Sequence, residues 1–386
     1  METKTWNQHI VKKNNKALVL QQIIEKEPIS RADIAQVSGL HKATVSSLVN
    51  ELLEEELIYE SGPGESSGGR RPVILHFNKN AGYAIGIDIG VNYVLSVLTD
   101  LKGNILTKKN QVVHETPYPA IMSIVQKMIQ SLMEEMPESR YGIVGIGVGV
   151  PGLVNKDDTI LLAPNLGWKN IRLKEELEHL FHVPVTIVNE ANAGAIGEQK
   201  FGAGVDYQNI IYISAGIGIG VGIILDNELY HGHNGFSGEM GHMIIDMNGK
   251  RCNCGSRGCW EAYASEHALL EMADEDIDSL ESLIELAENG NPIAQNLFKK
   301  IGNYLGFGIN NIINTFNPDL VIIGNRLSLA KQWIEEPILT TIQHHTLGYH
   351  QNEMQLQFTK LNKYSTALGV SAFVVDSFIK EETTPS

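Results

Sequence analysis

Cysteine is scarce in this 386-residue chain: there are three, all between positions 252 and 259. Three thiols cannot all pair with one another, and their clustering points to a metal rather than to disulfides. Long apolar runs are missing too. No stretch reaches the roughly 20 residues that a membrane-spanning helix needs, and no basic segment followed by an apolar one opens the chain. The expectation is a cytoplasmic protein with no membrane partner. Aromatics are sparse at 7%, yet 43% of residues are hydrophobic and 19% are charged, an ordinary globular balance. The length suits two or three domains. Positive charge is in deficit, with a formal net charge of −15, which taken whole argues against nucleic acid. One segment escapes that argument. Residues 1–80 hold 10 Lys/Arg and 10 Asp/Glu, so the excess acid lies entirely beyond them. An acidic body repels phosphate, and any DNA contact must be local to the N-terminal segment.

That segment shows three helical patterns. Asn14 to Lys26 places Ala17, Leu20, Ile23 and Ile24 on one face, and Pro28 closes it. Ser30 and Asp33 form a capping box for a short helix, Arg31 to Val37, with Ile34 and Val37 expected inward. The third helix runs from about Lys42 to Glu55 with the stripe Val45, Leu48, Val49, Leu52 and Leu53. Its other face offers Lys42, Ala43, Thr44, Ser46, Ser47 and Asn50, small or hydrogen-bonding groups suited to base edges. Glu51, Glu54, Glu55 and Glu56 crowd the C-terminal end, so only the N-terminal half suits a groove, as in a recognition helix. A small bundle for protein contact fits three helices equally well. The following residues favour DNA. Leu57 to Glu60 and Val73 to Phe77 read as the strands of a wing, and Gly68-Gly69-Arg70-Arg71-Pro72 sits between them. Two guanidinium groups on a slim backbone suit phosphate or a narrow minor groove, although a solvated basic loop has the same composition.

The remaining residues read as a duplicated α/β body. Ala84 to Gly90 is a buried strand, Val94 to Thr99 a second, and Ile105 starts a third after the turn at Asp100 to Asn104. A similar layout begins at Ile210, about 125 residues later, and the pair implies two lobes with a cleft between them. Gly145 to Val150 runs into Pro151-Gly152, and Val185 to Val188 ends at Asn189-Glu190-Ala191-Asn192-Ala193. Polar residues where strands meet helices are common ligand positions, though each alone is equally a turn or a cap. His242, Cys252, Cys254 and Cys259 follow at intervals of 10, 2 and 5. One imidazole and three thiolates fill a tetrahedral zinc site and leave no open position, so the zinc reads as structural. Gly255 and Gly258 allow the tight turns that convergence needs; redox thiols or buried free cysteines are the other reading.

Several motifs together resemble a known family. They are Asp88-x-Gly90, Pro151-Gly152, Pro164-Asn165-Leu166, Asn189 to Ala193, Gly238-Glu239-Met240-Gly241-His242, and Cys252-x-Cys254-Gly255-x-x-Gly258-Cys259-x-Glu261. In this set the chain resembles the ROK family (repressors, open reading frames, kinases) over essentially its whole length. The winged segment places it with the family's repressors, nearest those of Gram-positive bacteria that respond to xylose. The resemblance implies a winged helix-turn-helix (residues 1–78) and an actin-like, RNase H-like two-lobed α/β domain. Its first lobe would be residues 79–188 with 365–386, and the second, 189–364, would carry the zinc and a dimerisation surface. It further implies sugar ligands at Asn165, Asn189, Glu190, Glu239, His242 and Glu261, with His242 using one ring nitrogen on zinc and the other on a sugar hydroxyl. Carboxylates and amides suit hydroxyls, which donate and accept at once. The implied partners are a palindromic operator DNA, a monosaccharide and a second copy of the chain. Glucose- or N-acetylglucosamine-class sugars are the alternative effectors.

A kinase of the family remains the alternative activity. The resemblance implies Asp-x-Gly-Gly-Thr at the first phosphate loop, where this chain has Asp88-Ile89-Gly90-Val91-Asn92. It implies Gly-Thr-Gly-x-Gly-Gly-Gly at the second, where Gly216-Ile217-Gly218-Ile219-Gly220-Val221-Gly222 stands. The expected catalytic Asp is Glu190, one methylene longer. Phosphoryl transfer depends on positioning, and a displacement of about 1 Å can cost on the order of 100-fold. The expectation is therefore a sensor, not an enzyme.

Overall fold

Apolar spacing in the first 54 residues produces three helices, α1 (Gln8–Lys26), α2 (Arg31–Ser38) and α3 (Lys42–Glu54). The structure, a computed structural model, describes residues 8–63, 73–113, 117–350 and 354–383. Ser30 caps α2 through the expected box: its hydroxyl accepts from the Asp33 amide and its own amide donates to Asp33 Oδ2, both at 3.3 Å. Val37 departs from expectation. It is 47% exposed, because the inward stripe of α2 runs through Arg31, Ile34, Ala35 and Ser38 at i, i+3, i+4, i+7 spacing. Strands β1 (Ile29–Ser30), β2 (Ile58–Pro63) and β3 (Val73–Phe77) form an antiparallel sheet in the order β1-β3-β2.

The core of this winged unit does not close on itself. Val19, Leu20, Ile23, Ile34, Val45 and Leu52 belong to one apolar cluster with Ala84, Val144, Val374, Val375 and Phe378 of the body. Polar links reinforce the seam. Lys16 Nζ binds Glu55 at 2.6 Å and donates to the Glu382 carbonyl at 3.1 Å; Tyr141 Oη donates to the Glu55 carbonyl at 3.1 Å. Lys102 pairs with Glu27 across the same seam.

Two five-stranded sheets build the body. The first comprises β4 (Tyr83–Ile89), β5 (Tyr93–Asp100), β6 (Ile105–Val112), β7 (Ile143–Val150) and β11 (Val185–Asn189). Its order is β11-β7-β4-β5-β6. A small sheet of β8 (Leu153–Val154), β9 (Ile160–Ala163) and β10 (Trp168–Ile171) branches from it. The second large sheet comprises β12 (Ile210–Ala215), β13 (Ile219–Leu225), β14 (Glu228–Leu229), β15 (Leu320–Gly324) and β16 (Gln355–Phe358). Its order, β14-β13-β12-β15-β16, repeats the first strand for strand. Each opens with an antiparallel hairpin, β4–β5 or β12–β13, and adds parallel strands on the hairpin's first strand. This duplication is the two-lobed architecture that the paired motifs implied.

Helices cover and join the sheets. The outer layers are α4 (Tyr118–Glu134) and α5 (Leu173–Phe181) on the first lobe, with α10 (Pro292–Phe316) and α11 (Lys331–His345) on the second. Shorter α7 (Glu261–Ala264), α8 (Glu266–Leu270) and α9 (Leu280–Glu288) precede α10. Between the lobes, α6 (Glu190–Phe201) packs against β12 and β13, and α12 (Ser365–Glu382) packs against α6, β7 and β4. The two helices meet backbone to backbone. A Cβ on Gly369 would sit 1.7 Å from the Ala193 carbonyl oxygen, so only glycine permits this approach. At its other end α12 carries Val374, Val375 and Phe378 into the winged-helix core.

Candidate functional site

A cavity of about 440 Å³ lies between the lobes. All six residues proposed from sequence as sugar ligands, Asn165, Asn189, Glu190, Glu239, His242 and Glu261, line it. They arrive from four separate segments. Asn165 sits in the 3-10 turn Pro164–Leu166, which follows β9. Asn189 ends β11 and caps α6: its Oδ1 accepts from the Ala191 and Asn192 amides at 2.9 and 3.2 Å, and its Nδ2 donates to the Gly152 carbonyl at 3.0 Å. These bonds commit most of that amide to holding the wall together. Glu190 is the first residue of α6. Asn325 Nδ2 donates to Ser214 Oγ at 2.9 Å, and Ser214 Oγ donates to Glu190 Oε1 at 3.2 Å. Burial raises the Glu190 carboxyl to about 7, with the Ser214 bond pulling the other way.

The second-lobe wall is a tight polar cluster. His242 Nε2 lies 3.9 Å from Glu239 Oε2, and His242 Nδ1 lies 3.5 Å from Glu261 Oε1. Glu239 is held above the usual carboxylate range by burial, opposed by His242 and reinforced by Glu261. Glu261 Oε1 accepts from Cys252 Sγ at 3.1 Å, and its Oε2 accepts from the Ile219 amide at 3.4 Å. Each carboxylate therefore keeps acceptor capacity toward the cavity.

Directly behind this wall, the donor atoms of His242, Cys252, Cys254 and Cys259 all lie within 4.8 Å of one another. The spacings can be tested against zinc. Tetrahedral bonds of about 2.3 Å to sulfur and 2.0 Å to nitrogen separate two sulfurs by about 3.8 Å, and a sulfur from a nitrogen by about 3.5 Å. The observed distances are 3.7 Å for Cys254 Sγ to Cys259 Sγ and 3.6 Å for Cys252 Sγ to His242 Nδ1. The residues fit the ion. Nδ1 faces the sulfurs, and Nε2 is the nitrogen turned toward Glu239. The loop is anchored by Trp260, fully buried, whose Nε1 donates to the Tyr304 carbonyl at 2.8 Å.

The DNA-facing candidates lie apart from the cleft. Along α3, Val45, Leu48, Val49 and Leu52 are buried; Lys42, Ala43, Ser46, Ser47 and Asn50 are exposed, and Thr44 is half-buried. His41 caps the helix, its Nδ1 accepting from the Ala43 amide at 3.3 Å. Asn50 is not free: its Oδ1 accepts from Arg31 at 3.0 Å, and Arg31 also binds Glu60 at 2.7 Å. Sequence reading missed Arg31, because it opens α2 rather than α3. The acids at the end of α3 are largely neutralised, Glu51 by Lys12, Glu55 by Lys16 and Glu56 by Arg140. Arg70 and Arg71 fall outside the described residues. Around the cleft, sequence reading also missed Tyr93, Asn253, Asn325 and Arg326, all of which line it. Asn325 follows the buried strand β15 at a positive φ of 62°, a strand-end position that only the repeat of the first lobe would have flagged.

Comparison with known proteins supplies the context. The ROK family model matches residues 84–377. A xylose repressor of Bacillus subtilis is 44% identical over 375 residues, spanning 97% of this chain and 98% of its own. Among solved structures, a ROK family transcriptional regulator, a homologue of the Escherichia coli MLC protein, superposes with a TM-score of 0.81 at 28% identity, covering 97% of this chain and 98% of that one. A ROK family glucokinase from Streptomyces griseus, solved with glucose and AMPPNP, gives 0.70 at 28% identity and covers 76% of this chain and 99% of that one. Among these relatives, the regulators match essentially the full length and the kinase does not.

Proposed function

The chain belongs to the ROK family, and we propose that it is a transcriptional repressor that releases its operator when xylose fills the inter-lobe cleft. The observation that carries the reading is continuity. Glu190 lines the cavity and opens α6; α12 lies along α6; and the far end of α12 is part of the winged-helix core. Thr366 Oγ1 donates to the Glu190 carbonyl at 3.2 Å, and Ser365 Oγ donates to Glu198 at 2.8 Å, so the two helices are bonded as well as packed.

In this account the sugar hydroxyls bridge the lobes. Glu239, His242 and Glu261 take them from the second lobe; Asn165, Asn189 and Glu190 complete the shell. A ligand that bridges two lobes binds one lobe arrangement better than another and shifts the population toward it. The winged unit shares a core with α12, so the shift moves the reading heads. Two chains bind a palindromic site, with α3 of each in a major groove about 34 Å from the other or a multiple of that. A coupling of about 1–3 kcal/mol gives a roughly 5- to 150-fold change in operator affinity. Lys42, Ala43, Thr44, Ser46 and Ser47 present the reading face, and Arg70 and Arg71, which the sequence places between the two wing strands, add phosphate or minor-groove contact. Operator DNA places the protein in the cytoplasm, and among the described residues no helix is long and apolar enough to cross a membrane.

Zinc would be held by His242 Nδ1 and the thiolates of Cys252, Cys254 and Cys259. Bound there, it supplies a fixed scaffold and no open coordination position. His242 Nε2 is then held as the donor toward the cavity, and the Cys252 loop keeps Glu261 in place.

The same cleft in a kinase would turn over nucleotide, and this supplies a direct test. In a coupled ADP-release assay with ATP, magnesium and either xylose or glucose, turnover is expected far below ~1 s⁻¹. A rate at or above that value for either sugar would overturn the reading as a sensor without catalysis.

A further inference from the structure

Against Glu190 lies a group of buried polar atoms that the preceding account does not use. Asp88 is on β4, and Tyr93 opens β5 just across the turn; the Tyr93 hydroxyl donates to Asp88 Oδ2 at 2.8 Å. Asp88 is only 2% exposed, and its Oδ1, like Asn92 Oδ1, has no hydrogen-bonding partner among the described residues. Burial and then the neighbouring Glu190 raise the Asp88 carboxyl, while the Tyr93 bond offsets part of the rise. Burial, Asp88 and Glu190 likewise raise the Tyr93 phenol. Tyr93 and Glu190 line the cavity, and Asp88 lies buried behind the Tyr93 hydroxyl.

The Tyr93 ring is accommodated by one missing side chain. A Cβ on Gly90 would lie 2.3 Å from Tyr93 Cε1 and 2.5 Å from Cζ. The ring thus rests on bare backbone, with its hydroxyl pinned to a buried acid, and it lines the cavity together with Gly90 and Glu190. Such a side chain is held at both ends. It forms a fixed wall, unlike a mobile rim residue.

We propose that Tyr93 sets the size of the sugar: its ring fills the space next to Glu190 that a hydroxymethyl arm would need, so the cleft selects a five-carbon sugar over a hexose. The inference rests on reading the cleft as a sugar site. A sugar held by Glu239, His242 and Glu261 that extends to Glu190 reaches the cavity wall that Tyr93 shares, close enough for Glu190 to act on its phenol. A pentopyranose ends at its ring carbon there, and a hexopyranose carries one more carbon and one more hydroxyl. Exclusion by a rigid wall supplies discrimination of the order expected for a single carbon, about 10- to 200-fold. Asp88 acts through Tyr93 and is a positioning residue.

The test is calorimetric titration of the zinc-loaded full chain with D-xylose and D-glucose, for the wild type and for Tyr93→Phe, Tyr93→Leu and Tyr93→Ala. Wild type is expected to prefer xylose by about tenfold or more. Tyr93→Phe keeps the ring over Gly90 but loses the bond to Asp88, so the preference for xylose is reduced and not abolished. Tyr93→Ala opens the wall: glucose binds more tightly, and the xylose-to-glucose ratio falls by about tenfold. Tyr93→Leu shortens the wall but refills its buried base; it gives the same direction of change should the alanine variant fail to fold by circular dichroism. An unchanged ratio in both shortened variants overturns the proposal, as does an equal loss for both sugars, the mark of a merely structural residue. A wild type that binds both sugars equally overturns it too. A wild type that binds neither sugar defeats the sugar-site reading itself.

Discussion

Glu239→Ala is expected to hold operator DNA as tightly as the wild type and to ignore concentrations of xylose that release the wild type. The two halves of this result come from different parts of the fold. Glu239 lies on the second-lobe wall, next to His242 at 3.9 Å, and its side chain is 44% exposed. It lies outside the apolar core that joins the winged unit to the body, so the unliganded protein keeps its reading heads where they were. The cleft, in contrast, loses a carboxylate whose two oxygens can accept from adjacent hydroxyls. A hydrogen bond to a charged group contributes about 1.5–3 kcal/mol, which is a roughly 10- to 150-fold weakening of sugar binding. Fluorescence anisotropy of a labelled operator fragment, titrated with xylose, measures both quantities in one experiment. Release of the variant at the wild-type sugar concentration would remove Glu239 from the sugar site.

Cys254→Ser is expected to lose the metal and the sugar response together. Cys254 is the exposed member of the four ligands, so the substitution does not disturb a packed interior. It removes one donor of a tetrahedral set, and the remaining three do not hold a closed structural site with comparable affinity. Two of the proposed sugar ligands adjoin that site. His242 Nδ1 is 3.6 Å from Cys252 Sγ, and Glu261 Oε1 is 3.1 Å from the same sulfur. Without a cation, burial pushes the Cys252 and Cys259 thiols up, so the cluster reverts to protonated thiols and the His242 ring is no longer fixed. The loop's buried anchor Trp260 belongs to the second-lobe core and not to the core shared with the winged unit, so operator binding should persist. Metal content by elemental mass spectrometry, measured beside operator release on the same preparation, checks both parts. A full xylose response from metal-free protein would contradict the structural role.

Local chemistry was legible in the sequence where it was self-contained. The Ser30–Asp33 capping box, the β3 strand from Val73 to Phe77 and the stripe Val45, Leu48, Val49 and Leu52 of α3 stand where the pattern put them, with Leu53 half-buried at the stripe's end. The convergence of His242, Cys252, Cys254 and Cys259 was legible because their spacing is short. What failed was long-range. The stripe of α1 was read from Asn14, yet the helix starts at Gln8, in a stretch whose polar residues carry no apolar period. Val37 was placed inward because its spacing from Ile34 fits a helix, but burial follows what a face packs against. The core shared by α1, α3 and α12 joins residues some 350 positions apart, and no periodicity reveals such a partner. Repulsion at the end of α3 was overestimated for the same reason: Lys12, Lys16 and Arg140 come from other elements. Tyr93 escaped notice because a tyrosine opening a strand reads as core; only the cavity and the bare backbone of Gly90 give it a ligand-facing role.

The central claim is a link between hydroxyl recognition in the cleft and the spacing of the DNA-reading helices, carried by α6 and α12 with no covalent chemistry. Operator affinity of the zinc-loaded protein, measured by anisotropy at fixed salt with and without saturating xylose, tests it most directly. The account predicts a roughly 5- to 150-fold loss of affinity on adding xylose. Identical binding curves with every monosaccharide tried would contradict it.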